Sequence, residues 1–96
     1  MVETFSRYDT AEFLKTDDEM AMYLDACLEE GDSPLIAHAL GVIARARGMS
    51  QLARETGISR EGLYRALSSE GNPEFATIMK VVRALGFRLH AVTPPA

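Results

Sequence analysis

The sequence is cut at short intervals by residues that end helices, and between the cuts apolar residues recur every three or four positions. That combination leaves room for short amphipathic helices and for little else. Asp17 is placed to cap a helix whose Met20, Tyr23, Leu24, Cys27 and Leu28 share one face before Gly31 stops it. Ser33 caps the next, with Pro34 in its first turn, Ile36, Ala39, Leu40 and Ile43 as its buried stripe, and Gly48 at its end. Ser50 opens a short helix to Thr56, and after Gly57-Ile58 the hydroxyl of Ser59 caps another to Ser68. Asn72-Pro73 starts the last helix, with Phe75, Ile78, Met79, Val82 and Leu85 inward and Gly86 closing it. A short helical turn from Thr10 to Lys15 precedes all of these.

From Phe87 to Val92 the pattern changes to apolar-polar alternation, which predicts a short strand over 87–93 before Pro94-Pro95 stops it. A lone strand needs a partner, either the segment Glu3 to Tyr8 or the same strand of a second copy. The second option gives a symmetric homodimer with Phe87, Leu89 and Ala91 in the contact. A frayed tail is the other reading. The expected fold is therefore all-α, a five-helix domain with a short C-terminal β-strand.

Ninety-six residues, 47% of them hydrophobic, suffice for one core. One domain is expected, divided into an acidic helical part over 1–32, a core over 33–86 and the strand over 87–93. The N-terminus has no basic start followed by an apolar run, and no long apolar stretch follows, so a cytoplasmic protein without membrane contact is expected. Cys27 is the sole cysteine, and with His38 and His90 it forms no zinc-ligand spacing and no nucleophile-base pattern. No catalytic residue, metal or cofactor is expected.

Charge divides the chain in two. Met1 to Ser33 holds ten acids against Arg7 and Lys15, a net of −8, whereas Pro34 to Ala96 holds eight bases against four acids, a net of +4. Such asymmetry suits two partners, a basic one for the first part and a polyanion for the second, unless the acids are simply a solvated face.

The polyanion reading acquires residues at Gln51 to Leu67. Ala53 is small enough for a second helix to cross above it, Gly57 can adopt the left-handed conformation of a tight turn, and Ile58, Leu63 and Ala66 fill the angle between the helices. This is the spacing of a helix-turn-helix. Thr56 departs from it, since an apolar residue is usual there, though its methyl group can partly substitute.

With Leu63, Ala66 and Leu67 inward, the second helix turns Arg60, Glu61, Tyr64, Arg65 and Ser68 outward, toward a major groove. Arg60 or Arg65 can read guanine, Glu61 can accept from cytosine, and Tyr64 can reach a phosphate or a thymine methyl. Gln51, Ser59 and Asn72 stand at helix starts, where free amides favour phosphate. Arg54 is a further candidate. Structural readings compete: Arg65 can pair with Glu61, Tyr64 can sit half in the core, and Ser59 and Asn72 can serve as caps alone. Gly62 costs about 1 kcal/mol in a helix interior relative to Ala, which points to close approach of a backbone, from DNA or from a neighbouring helix.

Several stretches together resemble the addiction-module antidote proteins, the HigA-like antitoxins with a lambda-repressor-type helix-turn-helix. They are Tyr8 to Lys15, Tyr23-Leu24 with Leu28 to Asp32, Ala44 to Ser50, Ser59 to Leu67, and Gly71 to Phe75. The resemblance implies a type II antitoxin that neutralises a RelE/HigB-like toxin, a ribosome-dependent mRNA nuclease, and represses its own operon. Such toxins are basic, so the acidic part becomes the candidate surface for one, with Tyr8, Asp9, Glu12, Asp17, Asp18 and Glu19 as contacts. Gly62 stands where many relatives carry serine or another polar residue. A domain with a net charge of −4 gains little from nonspecific phosphate attraction, so a dimer on an inverted repeat with half-sites ~34 Å apart is expected. The alternatives are a stand-alone phage-type repressor and an interaction module that has lost DNA binding.

Overall fold

The structure is a computed structural model that describes residues 14–95. Five helices follow one another: α1 (Asp17–Glu30), α2 (Ser33–Arg47), α3 (Met49–Thr56), α4 (Arg60–Ala66) and α5 (Phe75–Ala84). Among the described residues there is no strand, and no helix is long and apolar enough to cross a membrane. Thr10 to Phe13 lie outside the described residues, and Leu14 and Lys15 are not helical.

Local chemistry sets the helix starts, in places one residue away from expectation. Thr16, not Asp17, caps α1: its hydroxyl accepts from the Glu19 amide at 3.1 Å, and the Glu19 carboxylate accepts from the Thr16 amide at 3.1 Å. This reciprocal box satisfies amides at both positions, which a lone Asp17 could not do. Asp17 is thereby free to reach across to Arg47 at the far end of α2, 2.8 Å away. The pair joins the start of α1 to the end of α2, as two helices packed side by side in opposite directions allow.

Likewise Asp32 and not Ser33 is the N-cap of α2, though its side chain makes no capping hydrogen bond; Pro34, which has no amide hydrogen, falls in the first turn, where none is needed. Helix α3 begins at Met49 after Gly48, one residue before Ser50. Ser59 does cap α4, accepting from the Gly62 amide at 3.0 Å, but the helix ends at Ala66 instead of Ser68. Beyond it the Ser68 hydroxyl donates to the Arg65 carbonyl oxygen at 3.1 Å. The Asn72-Pro73 start is also corrected: both residues lie in the loop and Glu74 is the N-cap of α5.

One core unites the helices. Leu40 and Ile43 of α2 occupy its middle, with Met20, Leu24 and Cys27 from α1, Met49 and Leu52 from α3, Leu63 and Leu67 around α4, and Val81, Val82 and Leu85 from α5. Burial holds the Cys27 thiol and the Tyr23 hydroxyl protonated to higher pH than usual, as suits groups at the core's edge. Two side chains expected inside are not. Burial rises along α5, so its first turn overhangs the core and Phe75 is 73% exposed; Leu28 sits at the outer edge of the α1 stripe. Gly41, unnoticed in the sequence, lets α2 run against the end of α4: a Cβ there would stand 2.5 Å from the Leu67 carbonyl oxygen.

The expected strand over 87–93 is absent, and its alternation has another cause. Phe87 and Leu89 are half-buried against the helical body while Arg88 and His90 face out. A segment laid over a core buries every second residue whether or not it finds a ladder partner.

Candidate nucleic-acid interface

Helices α3 and α4 are both short and are joined by three residues. Two devices close the turn. Gly57 takes φ 77° and ψ 10°, left-handed values that cost other residues about 1–2 kcal/mol, and its amide donates to the Ala53 carbonyl oxygen at 2.9 Å. Thr56, where an apolar residue was expected, donates its hydroxyl to the Leu52 carbonyl oxygen at 2.8 Å and accepts from the Ile58 amide at 3.2 Å. Its polar atom thus ties the turn instead of disturbing it. Leu63 is wholly inaccessible in the core and Ile58 packs against it, while Ala66 is half-buried.

This framework fixes what α4 displays. Arg60, Glu61, Tyr64 and Arg65 are exposed, Tyr64 at 46%, whereas Ser68 is half-buried and engaged with the backbone. No ion pair joins Arg65 to Glu61 among the described residues. Among the described residues no other backbone approaches Gly62: an added Cβ would meet the Ser59 hydroxyl at 3.1 Å and an Ile58 methyl at 3.2 Å. It gives room to its own helix cap.

A shallow concavity of about 470 Å³ lies beside α4. Its lining brings together Arg45 and Arg47 from the end of α2, Ser50, Gln51 and Arg54 from α3, and Arg60 and Tyr64 from α4. Among the described residues its lining includes four guanidinium groups, of which Arg47 is paired with Asp17. Arginine carries a fixed charge and a planar fork of donors, matching phosphate oxygens and guanine edges alike. Among the described residues, neither Arg54 nor Arg60 has an ion pair. Arg47 is held between Asp17 and the ring of Phe87, whose centroid is 6.0 Å from the guanidinium carbon.

The remaining expected contacts divide. Gln51 lines the concavity, but its amide nitrogen donates to Glu55 at 3.1 Å along the same helix. Ser59 is exposed with its hydroxyl spent on the cap. Asn72 stands three residues before α5 and so does not occupy a helix start. Sequence reasoning missed Arg45 and Arg47, although their signal is present in Arg45-Ala46-Arg47 just before Gly48. Of the residues expected to meet a toxin, Asp17, Asp18 and Glu19 form the exposed first turn of α1, and Tyr8, Asp9 and Glu12 lie outside the described residues.

A Haemophilus influenzae protein described as uncharacterized is 54% identical to this chain over 88 residues, covering 92% of this chain and 91% of its own length. No solved structure matches. Residues 4–93 match the family described as probable addiction module antidote protein. A match over nearly the whole sequence places this protein in the family of addiction module antidotes.

Proposed function

We propose that this protein is a type II antitoxin that binds a RelE/HigB-like mRNA-nuclease toxin and represses its own operon by sequence-specific DNA binding as a homodimer. It acts by binding, not by catalysis. In this reading α3 and α4 are a lambda-repressor-type helix-turn-helix, with α4 in the major groove and the arginines of α2 and α3 on the flanking phosphates. The observation that carries it is the concavity where arginines from three helices converge with Tyr64 on one face. A chain of net charge −4 has no general reason to gather guanidinium groups there. A polyanion supplies one.

The test is fluorescence anisotropy with DNA from upstream of the gene against scrambled DNA of equal length, at two salt concentrations. Specific, salt-sensitive binding is expected, and Arg60→Ala should weaken it by about 1–3 kcal/mol. Loss confined to the specific sequence assigns Arg60 to a base, and uniform loss assigns it to a phosphate. Equal or absent binding to both DNAs, with or without the toxin present, would leave an antidote that does not repress.

A further inference from the structure

Helix α1 carries apolar side chains on its outer face as well as its inner one. Met22 is 72% exposed and Leu28 36%, and across from them Val92 is 76% exposed. With Leu89 and the acids Asp25 and Glu29 they line an open groove of about 510 Å³ between α1 and the segment that follows α5. Single exposed apolar residues are ordinary on a protein surface, but apolar residues on both walls of one groove mark a binding site.

Charge selects the occupant. Helix α1 holds Asp17, Asp18, Glu19, Asp25, Glu29 and Glu30 and no base. A second copy seated about a two-fold axis on this groove would bring that helix toward its own image, carboxylate against carboxylate. The first thirteen residues of the chain carry Glu3, Asp9 and Glu12 against Arg7, the same sign again. Arg88 is the one fixed positive charge among the described residues of the lining. A basic partner gains where both of the others lose.

We propose that this groove is where the toxin docks, inserting apolar side chains between Met22, Leu28 and Val92 while its lysines or arginines meet Asp25 and Glu29. The proposal rests on the antidote reading and moves the contact from the first turn of α1 to its middle and end. The groove shares no lining residue with the arginine concavity, so toxin and DNA occupy different surfaces.

The experiment uses the full-length protein and, as probe, the protein encoded by the adjacent reading frame, with affinity measured by biolayer interferometry. Met22→Arg/Glu29→Arg should weaken the complex about a hundredfold or more by placing unpaired positive charge where the toxin's own must sit. Val92→Arg, which lies outside every helix, should act in the same direction. Melting temperature, sedimentation and binding to promoter DNA should not change. Asp18→Lys, on the same helix but off the groove, should weaken the complex less than about fivefold.

Equal toxin affinity for wild type and groove variants overturns the surface while leaving the antidote reading intact, as does a larger loss from Asp18→Lys. A change from dimer to monomer in the groove variants gives the groove to a second copy, and a lowered melting temperature gives it to this chain. Failure of wild type to bind the probe removes the antidote reading itself and this proposal with it.

Discussion

Helix α1 and the pair α3–α4 both rest on α2, yet they present opposite chemistry. The first carries six carboxylates with exposed methionine and leucine between them; the second displays arginines around a tyrosine. They also differ in construction. The face of α1 belongs to one continuous helix and its charge is a property of that helix alone. The arginine concavity exists only because three helix segments meet. Charge along one element can be read in order, whereas a site shared among elements depends on the packing that unites them.

The core tests whether the two surfaces are separable. Leu63 lies under the α4 face, yet its cluster reaches Met20 and Leu24 of α1. Leu63→Ala should cost about 3 kcal/mol in urea unfolding and abolish DNA and toxin binding in one transition. A biphasic curve, with toxin binding surviving the first phase, would show that the α1–α2 hairpin stands without α3 and α4.

Gly41→Ala sharpens the contrast. The new methyl would press on the Leu67 carbonyl oxygen, which is backbone and cannot swing aside, so a loss of about 1–3 kcal/mol is expected. Since the wedge opens between α2 and the end of α4, DNA affinity should fall more than toxin affinity. Equal losses, measured on the two ligands at one temperature, would contradict that division. Ser59→Ala acts on α4 alone and should cost about 1 kcal/mol through the lost cap, with toxin affinity unchanged. A change in toxin affinity would mean that α4 faces both partners.

Much of this architecture is legible in the sequence for a definite reason. The Ser59 cap, the left-handed Gly57, the stop at Gly31 and the buried stripes of α1 and α2 are each set by neighbours within a few residues. The errors share the opposite cause. Asp17 reads as a cap until Glu19 is paired with Thr16, and Phe87 to Val92 reads as a strand until a helical body is placed beneath it. Arg45 and Arg47 read as ordinary basic residues at a helix C-terminus, favoured by the helix dipole. Their place beside Arg54 and Arg60 follows only from the turn between α2 and α3 and the packing of α4 on both. Phe75 is misplaced because periodicity gives the face of α5 but not how far its first turn overhangs the core.

Above the shared core, an ion pair links the two regions at the surface. Asp17 of the acidic helix holds Arg47 of the concavity at 2.8 Å, the carboxylate side chain 80% exposed and the guanidinium 32%. A pair so open to water contributes little to folding, so Asp17→Asn should change unfolding stability by less than about 0.5 kcal/mol. Its effect on DNA should be more visible, because Asp17 opposes any phosphate that approaches Arg47. Removing the carboxylate should raise promoter affinity a few-fold and steepen the dependence of log affinity on log salt by about 0.9, the increment for one more neutralised phosphate. Anisotropy titrations across a salt series measure both quantities. Unchanged affinity and slope would place Arg47 away from the phosphates, so that its pair with Asp17 joins the two surfaces without touching the DNA site.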